Sequence, residues 1–291
     1  MQDFSFCTTL FVRFSCLYVK FLLILSRGDP ARCRKTNPAA AMAFEYPENF
    51  ARFYDLIYHS IRDGVDNAYY LKKIREVRGS VLEIGAGTGR LFLQALRAGA
   101  DIFAIDVSAS MLDILIKKAR PGERDRISKQ SATDFRYDKS FDLIIAPFRV
   151  FSHLVTIQEQ RNALNNAWQH LVPGGTLIFD LYVPDPGLLS KGLDKVVDFE
   201  KQDENGNIVR RIVSSNSDMV NQLSHTRFRI EWTENGVPHA FDWDFDMRFY
   251  FRFEIEHLLE LSKFGHAIIY GDFEENPLSA ISREFIVHCK K

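Results

Sequence analysis

Three glycines at alternate positions, Gly85, Gly87 and Gly89, follow the apolar run Val81-Leu82-Glu83-Ile84. Glycine suits a tight turn with unusual dihedrals whose bare backbone a ligand must approach. Asp106 closes a second apolar run, Asp101-Ile102-Phe103-Ala104-Ile105. A carboxylate about 20 positions after such a turn, at the tip of the next strand, suits the two hydroxyls of a ribose. Asp134 and Phe135 follow a third short run; an acid and an aromatic there could take an adenine amino group and its ring. His153 has an ordinary pKa near neutrality and is the best single candidate for a general base, with a polar helix cap as its plainer role. Arg149 could hold an acidic acceptor or pair with a surface acid. Together these residues describe a site for a nucleoside cofactor.

Spacing narrows which nucleoside. A dinucleotide fingerprint places two residues between its second and third glycines. Here the third glycine arrives one residue early, at Gly89, and Arg90 stands at the dinucleotide position. Glu83 precedes the turn, where a negative charge would repel a pyrophosphate. A Tyr-x-x-x-Lys pair of the kind an NAD-linked oxidoreductase would need is not found beside the fourth or fifth strand.

The elements that must position these groups alternate between strand and helix. Two helices are expected between Phe44 and Arg78, where Phe50, Phe53, Tyr54, Ile57 and Tyr58 recur at helical spacing. Most of that stripe is core, although Tyr46, Tyr54 and Tyr58 could also form a lid over cofactor and acceptor. Ser108 can cap a helix carrying Met111, Leu112, Leu115, Ile116 and Ala119. A short third strand falls near Arg126 to Gln130, and Phe141 to Ala146 forms the fourth. The fourth runs into Pro147-Phe148-Arg149, a loop expected beside the reacting group because ligands collect where strand order reverses. Thr156 and Glu159 form a capping box, and Pro173-Gly174-Gly175 turns the chain into a fifth strand, Thr176 to Tyr182.

Asn205-Gly206 and Asn235-Gly236 signal hairpins within 184–250. Phe228, Ile230 and Trp232 alternate with polar residues, as do His239, Phe241, Trp243 and Phe245. Such a ribbon has one aromatic face, which could roof a substrate pocket or meet a second subunit in a homodimer. A helix over Phe253–Lys263, ended by Gly265, and strands over His266–Tyr270 and Glu284–Cys289 complete the chain.

The succession Ile84-Gly85-Ala86-Gly87-Thr88-Gly89-Arg90, Asp106, Asp134, Phe141-Asp142-Leu143-Ile144 and Leu171-x-Pro173-Gly174-Gly175 resembles the ordered motifs of class I S-adenosylmethionine-dependent methyltransferases. The resemblance covers residues 43–183 well and the C-terminal strands more loosely. Pro147-Phe148, His153 and the aromatic N-terminal helix are similar to small-molecule members, including amino-sugar N-methyltransferases. The tetrad of DNA and glutamine methylases is replaced by Ala146-Pro147-Phe148-Arg149. The implied fold is α/β, a Rossmann-like, doubly wound, seven-stranded and mostly parallel sheet with an antiparallel last strand. An inserted antiparallel β subdomain (184–250) would interrupt it, and 251–291 would complete it. The implied cofactor is S-adenosylmethionine. Its candidate contacts are Tyr58, Glu83, Gly85, Ala86, Gly87, Gly89, Asp106, Val107, Met111, Thr133, Asp134, Phe135, Pro147 and Phe148, with His153 and Arg149 as catalytic candidates. The implied reaction is methyl transfer to nitrogen or oxygen of a small molecule. A cofactor-binding sensor that methylates nothing is the competing class.

Composition sets the outer limits. At 291 residues, 46% hydrophobic and 26% charged, the chain can bury a core and hold one α/β domain with an insertion. Residues 1–42 carry six Lys/Arg against two acids, and the remaining 31 basic residues face 36 acidic ones. The body, near −5 with no basic run, argues against a nucleic-acid substrate. The apolar run Phe4–Leu25 is broken by Arg13 and Lys20 and is a poor membrane span; residues 1–42 read as an overlong start ahead of Met42, or as a targeting segment. Cys7, Cys16 and Cys33 lie in that segment, leaving Cys289 beyond it. No disulfide framework or metal-ligand spacing results, so a cytoplasmic, metal-free protein is expected.

Overall fold

The computed structural model describes residues 44–61, 64–204, 206–265 and 267–291. The readings made for residues 1–42, for Asn205 and for His266 lie outside these. Two helices, α1 (Glu48–Ile61) and α2 (Val65–Glu76), precede the first strand. The apolar runs then become β1 (Val81–Ile84), β2 (Ile102–Asp106), β3 (Ile127–Lys129) and β4 (Phe141–Ala146). Between and after them lie α3 (Phe92–Arg97), α4 (Ala109–Lys118) and α5 (Ile157–His170), and β5 spans Leu171–Tyr182. Both cap readings hold. Ser108 accepts from the Met111 amide at 3.2 Å, and Thr156 and Glu159 bond reciprocally.

β5 begins earlier than expected. Phe141 pairs with Leu171 and Leu143 with Thr176, so the Pro173-Gly174-Gly175 turn is a bulge within the strand, Gly174 supplying a φ of 82°. After β5 come a short helix, α6 (Pro186–Lys191), and four strands: β6 (Leu193–Gln202), β7 (Ile208–Asp218), β8 (Leu223–Glu234) and β9 (Val237–Arg248). These form a separate antiparallel sheet in sequential order. Asn235 and Gly236, with φ of 51° and 77°, make the tight β8–β9 turn. Helix α7 (Arg252–Glu260), β10 (Ala267–Tyr270) and β11 (Glu284–Lys290) end the chain.

The main sheet has seven strands in the order β10-β11-β5-β4-β1-β2-β3. β1 through β5 pair in parallel, and β11 runs antiparallel to both neighbours. Strand order reverses between β1 and β4, which opens a crevice at their carboxyl ends. Side-chain alternation divides the strands between two cores. Leu82, Ile84 and Ile144 pack with α5 and α7, whereas Val81, Leu143 and Ile145 pack with α2, α3 and α4. A third core joins α1, through Phe50, Phe53 and Ile57, to Val209, Ile230 and Trp232 of the second sheet. Among the described residues, no helix is long and apolar enough to cross a membrane.

Candidate functional site

The turn after β1 needs its glycines for three different reasons. All three have φ between 56° and 82°, a region that side chains with a Cβ rarely adopt. A Cβ at Gly85 would stand 2.4 Å from Val150 in the loop after β4, and one at Gly89 would stand 2.2 Å from Leu115 of α4. These two close the packing. A Cβ at Gly87 would meet nothing within 4 Å, so Gly87 is the point where the backbone faces open space. Its N–H donates to Asp106 Oδ2 at 2.8 Å, and the Ser108 N–H donates to Oδ1 at 2.8 Å. The Val107 N–H adds a third donor, and since two carboxylate oxygens offer about four acceptor sites, the group is fixed in place yet can still accept a hydroxyl. Asp106 is 6% exposed, and burial raises its pKa.

Glu83 lies directly before this turn and is fully buried, with neither carboxylate oxygen hydrogen-bonded among the described residues. Burial pushes it up to about 8, so the carboxyl is largely protonated at pH 7. This corrects the charge argument made from sequence: a mostly neutral Glu83 is not what would turn away a pyrophosphate. The glycine spacing still separates the site from a dinucleotide site. The orphaned carboxyl is a polar group awaiting a partner, as a cofactor with hydrogen-bonding groups would provide.

Across the crevice, the loop after β4 is strained. Phe148 and Arg149 have φ of 61° and 64°, consecutive left-handed residues without glycine. Asp180, fully buried on β5, holds them there. Its Oδ1 accepts from the Phe148 N–H at 2.8 Å and its Oδ2 from the Arg149 N–H at 3.1 Å. The Tyr70 hydroxyl of α2 donates to the same Oδ1 at 2.6 Å. The Arg149 side chain reaches Glu284 of β11 at 2.8 Å, while its Nε is buried without a hydrogen-bond partner among the described residues.

α1 and the second sheet roof the crevice. Asp55 accepts from the Thr88 hydroxyl at 2.6 Å and pairs with Lys118, which clasps α1 to the glycine turn. Arg52 bridges to Glu234 of β8 at 2.8 Å. Glu45 caps α4, accepting from Ser108 Oγ at 2.5 Å and the Ala109 N–H at 3.0 Å. The aromatic face of the ribbon points at α1: Trp243 lies 4.7 Å from Phe50 and 5.0 Å from Tyr46, ring centre to ring centre. Of its two expected uses, this face roofs the pocket.

A half-open cavity under this roof has a volume of about 610 Å3 and is reached by Tyr46, Tyr58, Arg90, Phe148, His153 and Arg211. His153 sits in a 3-10 turn (Val150–His153), 4.3 Å from the Phe44 ring, with Nε2 3.4 Å from the Tyr46 hydroxyl. Burial pushes it down to about 4, so it is neutral at pH 7.

Of the expected residues, Tyr58, Phe148, Arg149 and His153 line this cavity, whereas Gly85, Ala86, Gly87, Gly89, Asp106, Val107 and Pro147 lie at or after the carboxyl ends of β1, β2 and β4 and are not among its lining residues. Thr133 and Asp134 occupy the turn beyond β3, where Thr133 bonds Ser131 and Asp134 is exposed. Two others lie inside the packing in this structure. Phe135 is 1% exposed, its ring 4.6 Å from His170. Met111 is fully buried beside Phe50 in the third core.

Three residues were missed. Arg90 stacks 4.0 Å over Phe148 and lies 3.8 Å from Asp66. Asp180 was legible as a lone acid inside the apolar run of β5. Arg211 was legible as a charge at an inward position of β7, in step with the buried Val209 and Val213.

Residues 81–175 match the family model described as a methyltransferase domain. A glycine/sarcosine N-methyltransferase of Parasynechococcus marenigrum is 26% identical over 262 residues, spanning 84% of this chain and 83% of that protein. A cypemycin N-terminal methyltransferase of a Streptomyces species is 32% identical over 144 residues, 48% of this chain and 57% of its own. Among solved structures, an S-adenosylmethionine-dependent methyltransferase of Clostridium acetobutylicum superposes with a TM-score of 0.66 at 20% identity, covering 83% of this chain and 97% of that one. The sugar N-methyltransferase KedS8 of Streptoalloteichus gives 0.65 at 16% identity, covering 91% and 100%. At these identities the superpositions establish the fold.

Proposed function

We propose that this chain, a class I S-adenosylmethionine-dependent methyltransferase, methylates the nitrogen of a small-molecule acceptor. The carrying observation is the pairing of Gly87, open to a ligand, with the fixed carboxylate of Asp106 at the point where strand order reverses. Gly87 gives backbone access, Asp106 takes the ribose hydroxyls, and the Glu83 carboxyl meets a polar group of the cofactor. When bound, the cofactor supplies an electrophilic methyl on a sulfonium. The chain's own work is then to align an acceptor and exclude water. α1 and the aromatic sheet close the cavity. His153, neutral at pH 7, accepts a hydrogen bond that orients the acceptor. A base whose conjugate acid has a pKa near 4 is too weak to ionise a hydroxyl, which favours an amine. The glycine/sarcosine and sugar relatives, both named N-methyltransferases, support the same choice. Cytoplasmic location and an acceptor other than nucleic acid complete the proposal, supported by the acidic body and by the free thiol of Cys289.

Calorimetry with S-adenosylmethionine and its demethylated product tests the premise. The wild-type chain should bind both, and Asp106→Ala should weaken binding about 100-fold, the size expected when a charged hydrogen-bond acceptor is removed. An Asp106→Ala protein that binds as tightly as wild type refutes the site.

A further inference from the structure

We infer that the acceptor carries a carboxylate and that Arg211 of β7 selects it, an inference that rests on the methyl-transfer reading above. Arg211 lines the cavity and is only 3% exposed. Asp198 of β6 clamps one edge of its guanidinium, with Oδ1 accepting from Nε at 2.9 Å and Oδ2 from Nη2 at 2.6 Å. That clamp fixes the plane of the fork and leaves Nη1 over. Nη1 is buried and makes no hydrogen bond of normal geometry among the described residues, while the Tyr58 phenol lies within bonding reach of the guanidinium. The rings of Phe228 and Tyr58 flank the group at 4.5 Å and 5.2 Å, and the Tyr58 phenol adds to the forces that hold it charged.

A buried donor without an acceptor is costly in any folded protein. Because Arg211 lines the cavity, an incoming ligand can approach its guanidinium. The charges around that cavity indicate which ligand. Among the described lining residues, Arg90 and Arg149 stand beside Asp66 and Glu284, at 3.8 Å and 2.8 Å. Arg211 is paired too, with Asp198, but that partner is the most exposed of the three, 34% in its side chain against 18% for Glu284 and 3% for Asp66, so solvent screens it most. The wall formed by the second sheet thus presents a fixed positive donor between aromatic faces. A planar carboxylate fits it in charge and geometry, and the rings enclose an apolar body. The hydroxyls of an amino sugar would give Nη1 a neutral partner only.

The test uses the full-length chain with S-adenosylmethionine and matched acceptors: glycine, phenylalanine, their amides, and glucosamine. Transfer is read as release of the demethylated cofactor, and cofactor binding by calorimetry. At least one free acid should exceed its amide by roughly 10- to 100-fold in kcat/KM, the range of a lost charge-assisted hydrogen bond. Arg211→Met should raise KM for the acid by a similar factor, leave cofactor binding unchanged and bring the acid-to-amide ratio near one. Arg211→Lys, which keeps the charge but loses the fork, should retain part of the ratio. Equal rates for acid and amide in the wild type, transfer to glucosamine alone, transfer to neither acid, or a ratio that survives Arg211→Met would each overturn the inference. Because the wild-type comparison decides by itself, a misfolded variant does not shelter it. A wild-type chain that fails to bind the cofactor defeats the methyl-transfer reading; binding without a preference for acids defeats only the role of Arg211.

Discussion

Nδ1 of His153 is buried without a hydrogen-bond partner among the described residues, and its ring lies among Phe44, Tyr46 and Phe245. Desolvation disfavours the imidazolium, and the pKa falls from 6.5 to about 4. Two outcomes follow from the sign of that shift. Between pH 6.5 and 4 the unfolded chain takes up a proton that the folded chain refuses, so stability falls as pH falls through this window. Compared with His153→Phe, the wild type should lose stability toward acid at up to about 1.4 kcal/mol per pH unit, measured by urea denaturation at a series of pH values. Parallel pH profiles for the two proteins would show that His153 is not desolvated. In turnover, His153→Phe should lower kcat about 10-fold with cofactor binding retained, the size of one lost hydrogen bond. The acid limb of the wild-type rate should follow the acceptor amine rather than a group near 6.5. Sequence gave His153 as a titratable candidate, but its neutrality depends on rings that arrive from residues 44–46 and from β9.

Among the elements, the loop after β4 is where local preference and tertiary structure disagree. No residue in Pro147-Phe148-Arg149 favours the left-handed region, and each left-handed residue without glycine costs of order 1 kcal/mol. The conformation persists because one buried carboxylate accepts both amides and is itself held by Tyr70. Asp180→Ala removes all three bonds and should destabilise the fold by about 2–4 kcal/mol, measured by urea denaturation. Activity should fall further than stability explains, because the loop positions both His153 and the floor under the acceptor. A variant with wild-type turnover would mean that the strain has no function. The helices and strands around this loop were legible, since their periodicity is local. The strain was not, because its compensation lies 32 residues away on β5.

On the scale of the whole molecule, α1 is the member that joins the two sheets. Its Asp55 holds the glycine turn through Thr88 and Lys118, and its Arg52 holds β8 through Glu234. Removing the first clasp by Asp55→Ala should free the roof over the cofactor. Cofactor dissociation followed by stopped-flow fluorescence should quicken about 10-fold, the size of one lost charge-assisted hydrogen bond. An unchanged rate would mean that the roof is kept closed by its aromatic packing alone. The chain's sequence by itself determined the alternation of strands and helices through β5, the glycine turn, the Asp106 carboxylate and the aromatic face of the ribbon. Each of these is written in spacing of two, of three to four, or in residues with unusual backbone freedom. Tertiary structure decided what those elements enclose. It made His153 neutral, protonated Glu83, buried Phe135 and Met111 in the core, and set Arg211 in the cavity wall. Charge state and accessibility depend on neighbours brought from distant parts of the chain, and spacing along the chain carries no record of them.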